Sequence, residues 1–122
     1  MIIGTGVDIE RIKRFHGMDR KKDKTFFNRI YTSAELNYCF SKKNPAQHLA
    51  VRFAAKEAVI KALHHVANFK PVDFSKIEVE QSSTGAPFIQ VQNKKELRQI
   101  MIHLSMSHCD EYAMAFVIVE TK

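Results

Sequence analysis

The chain has 122 residues, of which 45% are apolar and 26% charged, and its formal net charge is +6. That size predicts a single domain over residues 1–122 with a real core, and it excludes a membrane span, since no apolar run approaches the ~20 residues that cross a bilayer. Cys39 and Cys109 belong to no CxxC pair and read as reduced thiols rather than a zinc site.

The opening IIGTGVDI is β-branched and apolar and predicts a strand, broken by Gly4 and Gly6, with Asp8 near its end. MIIGTGVDIE has no basic leader and meets Asp8 too early for a signal peptide, so a cytoplasmic location is expected. Ile9, Ile12 and Phe15 then recur at helical spacing among Arg11, Lys13 and Arg14, which predicts a short basic helix or turn. DRKKDK (19–24) reads as a mobile charged loop. TSAE (32–35) matches a capping box and starts a helix that runs to about Ser41. Asn44 as N-cap and Pro45 at the first helical position open the longest helix, which is expected to end near residues 66–68. Leu49, Phe53, Ile60 and Leu63 form its apolar stripe, helped by Ala50, Ala54 and Ala58. After Pro71 the period changes to two: KIEVEQ and PFIQVQ predict a hairpin around STGAP. NKKELRQI predicts a short helix. HLSMSH and YAMAFVIVE predict two strands joined by a tight turn at residues 108–111. The class is α+β, helices early and antiparallel strands late.

Charge is unevenly placed. Residues 1–61 hold 13 Lys/Arg and 6 Asp/Glu, or +7, and residues 62–122 hold 6 and 7, or −1. Such a skew suits an anionic partner: nucleic acid, an acidic protein or a phosphorylated ligand. It equally suits a solvated, lysine-rich surface.

The helix RFAAKEAVIKAL (52–63) carries Arg52, Lys56, Glu57 and Lys61 among apolar residues. One stripe holds Phe53, Glu57, Lys61 and His64, and a neighbouring one holds Arg52 and Lys56. Ordinary surface ion pairing explains the spacing by itself. Asp8, however, ends an apolar strand beside two glycines, where solvated charges are uncommon. A strand-end carboxylate and a helix carboxylate suit Mg²⁺, which takes one or two carboxylates and completes its shell with water and phosphate oxygens. Ser107 and His108 end a strand, where neighbouring side chains point to opposite faces, so they make a poor nucleophile pair. His108 reads as a ligand-binding or structural histidine.

Taken in order, GTGVDI, RFAAKEAVIKAL, the TGAP turn and SMSH closely resemble the holo-[acyl-carrier-protein] synthase family, the small class of 4′-phosphopantetheinyl transferases. The resemblance runs from Ile2 to Glu120. It implies transfer of 4′-phosphopantetheine from coenzyme A to a serine of apo acyl carrier protein, with adenosine 3′,5′-bisphosphate released. It implies the transferase fold, an antiparallel sheet packed on a long helix, assembled as a homotrimer with coenzyme A between subunits. By the same analogy Asp8 and Glu57 hold Mg²⁺, Glu57 and Lys61 are catalytic, and a bound water or a carboxylate takes the serine proton. Arg52, Lys56, Lys61 and His108 contact coenzyme A phosphates, Thr84, Gly85 and Pro87 border the adenosine, and Arg14 meets the carrier's acidic helix.

Four positions depart from the family pattern. Val51 stands where Gly is common, His64 and His65 replace a Gly-rich turn, and Arg11 takes a place where an acid is frequent. Two other functions compete: the same fold serving a polyketide or peptide synthetase carrier, and a basic domain that binds nucleic acid without catalysis. The second lacks an RNP-type aromatic series and a Gly-rich KH loop.

Overall fold

The computed structural model describes residues 1–66, 68–92 and 94–122. Strand β1 covers Ile2–Arg11 and leads into a 3₁₀ turn, Ile12–Phe15. The expected start of a helix at Ile9 is therefore overruled: Ile9 pairs in register with Met114, because strand pairing satisfies its backbone where a lone turn could not. Residues 19–24 form a hydrogen-bonded turn rather than an open loop. Asp19 Oδ1 accepts from the Lys21 and Lys22 amides, and Asp23 Oδ2 accepts from the Asp19 amide. Helix α1, Lys24–Ile30, follows, and the sequence reading had no counterpart for it.

Helix α2, Ser33–Phe40, begins with the expected capping box, in which Thr32 and Glu35 exchange side chain-to-backbone hydrogen bonds. Helix α3, Pro45–Leu63, has Pro45 at its first position, but the Asn44 side chain makes no capping bond. It stops at Leu63, short of the expected 66–68, and of those positions Ala67 lies outside the described residues. Strands β2 (Ile77–Gln81) and β3 (Pro87–Val91) make the predicted hairpin. A 3₁₀ turn, Lys95–Gln99, replaces the next helix, whose expected start at Asn93 is likewise outside the described residues. Strands β4 (Ile100–His108) and β5 (Tyr112–Thr121) complete an antiparallel sheet of order β1-β5-β4, while β2-β3 stands as a separate two-stranded sheet.

Helix α3 is not amphipathic in the expected way. It crosses between two cores and is buried on almost every side from Leu49 to Val59. One core lies between α3 and the sheet, with Ala58, Val59, Ala62, Leu63, Ala115, Val117 and Val119. The other gathers Phe15, Phe27, Tyr31, Leu36, Leu49 and Phe53 against α1 and α2. Gly4 and Gly6 let β1 lie directly on the helix: a Cβ at Gly6 would overlap the Ala58 carbonyl, and one at Gly4 the Ala62 carbonyl. This close approach brings Asp8 of β1 beside α3.

Candidate active site

Side chains alternate along β1, so Gly4, Gly6, Asp8 and Glu10 all face α3. Glu57 and Lys61, one turn apart on α3, meet that face. Lys61 Nζ donates to the Val7 carbonyl at 3.0 Å and to Asp8 Oδ1 at 3.2 Å. Asp8 Oδ2 is buried and has no hydrogen-bond partner among the described residues. Burial, and then the Asp8 charge, push the Glu57 carboxyl above its ordinary pKa, with Lys61 and Arg14 pulling the other way. Glu10 is raised to about 7 by burial and then by the neighbouring Asp8 carboxyl, against the pull of Arg14. Carboxylates that crowd one another, one with an orphaned oxygen, make a site short of positive charge. Among the described residues no group of three or more His, Cys, Asp or Glu is arranged to hold a metal. A cation here would take Asp8 and Glu57 and need further oxygens from substrate and water, which suits Mg²⁺.

Arg14 projects from the 3₁₀ turn after β1 and is half exposed. Its guanidinium lies 4.8 Å from the Phe53 ring centroid and 5.5 Å from that of Phe15, and Nη1 donates to Glu10 Oε1 at 3.1 Å. Asp8, Glu57, Lys61 and Arg14 thus lie together: Lys61 bonds Asp8, and Glu57 feels the charges of Asp8, Lys61 and Arg14.

Lys56 is not part of this group, and the expected phosphate contact is corrected. It is fully buried, about 100° round α3 from Glu57, and points towards α1, α2 and β2. Its Nζ donates to Glu35 Oε1 at 2.6 Å and to the carbonyls of Ile30, Phe74 and Ile77 at 2.7, 3.0 and 2.6 Å. Burial lowers its pKa, and the Glu35 charge opposes that shift. An ammonium saturated by interior acceptors has no proton left for a ligand.

Arg52 sits roughly 140° round the helix from Glu57. It is 3% exposed, its guanidinium stacks 4.3 Å from the Tyr38 ring, and its Nε has no partner among the described residues. With Tyr38 and Gln81 it lines a cavity of about 240 Å³ between α2 and β2. His48 and Lys42, which have no role in the sequence-based expectation, pack on the same Tyr38 ring outside the cavity lining, and the His48 pKa is lowered by burial and by the charges of Arg52, Lys42 and His108. His108 itself is exposed at the end of β4. Thr84 and Gly85 lie at the exposed hairpin tip and Pro87 opens β3, with Gly85 at φ +85°, a conformation that glycine tolerates. No hydrogen bond or ion pair joins these three, or His108, to the Asp8–Glu57 group among the described residues. His64 and His65 are exposed just past α3.

A partly buried carboxylate pair flanked by Lys61 and Arg14, with Arg52 and His48 elsewhere on the same helix, is an arrangement that suits a polyanionic ligand. Residues 4–117 match the family model of the 4′-phosphopantetheinyl transferase superfamily. A holo-[acyl-carrier-protein] synthase of Thermodesulfovibrio yellowstonii is 42% identical over 121 residues, covering 98% of this chain and 99% of that one. The crystal structure of the holo-[acyl-carrier-protein] synthase from Neisseria meningitidis superposes with a TM-score of 0.82 at 32% identity, covering 99% of this chain and 100% of the other. That of the Bacillus anthracis enzyme in complex with CoA (3′,5′-ADP) gives 0.76 at 32% identity, covering 100% and 99%. The chain belongs to the 4′-phosphopantetheinyl transferase superfamily, among its small holo-[acyl-carrier-protein] synthases.

Proposed function

We propose that this protein moves 4′-phosphopantetheine from coenzyme A to a serine of apo acyl carrier protein, in the cytoplasm and with Mg²⁺. The observation that carries this reading is the facing pair Asp8 and Glu57, with its orphaned Asp8 oxygen and Lys61 alongside, in a chain of this family. The serine oxygen attacks the pantetheine-side phosphorus of the coenzyme A pyrophosphate. The bond from that phosphorus to the bridging oxygen breaks, and adenosine 3′,5′-bisphosphate leaves. Asp8 and Glu57 would hold Mg²⁺, which when bound supplies positive charge against the pyrophosphate. Glu57, or water beside it, takes the serine proton. Lys61, half exposed, turns from Asp8 to the departing phosphate. Arg14 meets the acidic surface of the carrier, where complementary charge mainly speeds encounter.

The whole of residues 1–122 is the transferase domain. Among the described residues no helix is long and apolar enough to cross a membrane. The outer face of the β1-β5-β4 sheet leaves Val7, Ile9, Met114 and Phe116 between 41% and 59% exposed, which supports assembly as a homotrimer on that face. A neighbouring copy then lends its surface to the nucleotide: Arg52 and His108 serve its phosphates, and the turn at Thr84, Gly85 and Pro87 borders the adenosine.

Intact-mass spectrometry of an apo acyl carrier protein, incubated with coenzyme A and Mg²⁺, tests the reading. One phosphopantetheine should be added to one serine, and EDTA should stop it. Glu57→Gln and Asp8→Asn should each abolish the mass gain while the protein stays folded. A folded wild type that modifies no carrier would overturn the reading, and salt-sensitive retardation of nucleic acid would favour the rival.

A further inference from the structure

Among the described residues, Glu10 is the one acid beside the site that the transfer leaves without a task. It lies on the same face of β1 as Asp8, with a side chain only 15% exposed. Its spacing to Arg14 is four residues, but no helix relates them: Glu10 belongs to a strand and Arg14 to a 3₁₀ turn. The two meet because the chain bends at Ile12, whose amide donates to the Glu111 carbonyl at 2.9 Å. Arg14 is therefore held from two directions. Phe53 and Phe15, both buried, form an aromatic floor beneath the guanidinium, and the Glu10 carboxylate fixes it laterally at 3.1 Å. A long surface arginine otherwise samples many rotamers and loses that freedom on binding.

We propose that Glu10 is a positioning residue for carrier recognition, holding the Arg14 guanidinium in the orientation that meets the acidic carrier and so setting the incoming serine towards Asp8 and Glu57. The inference rests on the transferase reading and on the carrier-facing role of Arg14. The competing view is that Glu10 only neutralises Arg14. The two views differ in sign: loss of a neutralising acid strengthens attraction to an acidic carrier, and loss of a positioning acid weakens it.

Calorimetric titration of an apo acyl carrier protein into the full-length protein, in EDTA and without coenzyme A, separates them. Glu10→Ala should weaken carrier binding roughly tenfold, about the worth of one charge-assisted hydrogen bond. Glu10→Gln, which keeps an oxygen acceptor for Arg14, should restore most of that loss. In an Arg14→Ala background, Glu10→Ala should add nothing, because a residue acting through another is silent once that other is gone. A merely structural role would instead lower the melting temperature and give additive losses. Tighter binding by Glu10→Ala, or full additivity with Arg14→Ala, overturns the proposal. A wild type that neither binds nor modifies the carrier overturns the transferase reading with it. A competent wild type matched by Glu10→Ala overturns the role of Glu10 alone.

Discussion

Two cysteines with opposite surroundings give a sharp expectation at the level of single side chains. Cys109 is exposed, whereas Cys39 is fully buried and burial pushes its thiol up to about 11. Thiolate is the reactive form. An alkylating reagent should therefore label one thiol quickly at neutral pH, and raising the pH to about 9 should not open the second. Mass spectrometry should find the second label only after denaturant is added. Gly6 gives a second expectation. Gly6→Ala forces a methyl group into the Ala58 carbonyl, so the protein should lose roughly 3 kcal/mol or more in urea unfolding, at the upper end of overpacking costs. Spacing along α3 relates Glu57 to Lys61 but reads equally well as surface ion pairing, so Asp8, Glu57 and Lys61 stand out as one proposed site in the sequence only through the family resemblance. Lys56 was misread for a physical reason. Spacing tells which residues neighbour each other on a helix, but not which side faces water, and α3 has almost no side that does. Glu10 was overlooked although the alternation along β1 places it on the Asp8 face.

The Lys56–Glu35 pair is a joint between secondary-structure elements. Lys56 ties α3 to the end of α1 and to β2, and Glu35 Oε2 accepts from the Val79 amide at 2.8 Å, tying α2 to the same strand. Removing one partner leaves a buried charge without its complement, which costs about 3–5 kcal/mol. Lys56→Met and Glu35→Gln should each destabilise by about that amount, and the double variant Lys56→Met with Glu35→Leu should be less damaged than the sum of the two. Denaturant titration reads all three. At this scale, elements with a local cause were legible: the capping box at Thr32, the proline start of α3, and the period-two hairpin. Helix α1 was not. Its seven residues, KTFFNRI, are too few to be stable alone and continue a basic run, so only packing of Phe27 into the second core makes them helical.

For the molecule as a whole, the sheet presents one face to α3 and leaves the other uncovered. Phe116 lies at the middle of that outer face, opposite Val7 on one side and Ser105 on the other. Sedimentation should show three copies for the wild type and single copies for Phe116→Glu. If the nucleotide site is shared between copies, the variant should also lose coenzyme A binding, although every carboxylate of its own chain is intact. The sheet order has another consequence, for the time course of folding. Its central strand is the last in the chain, and Ile2 of the first strand pairs with Glu120. Among the described residues, neither β1 nor β4 has a hydrogen-bonded strand partner until β5 arrives. Closing so long a loop is slow compared with forming helices. In stopped-flow refolding, helical signal should therefore appear before the sheet closes, and a chain shortened ahead of Tyr112 should collapse without ever setting Asp8 against Glu57.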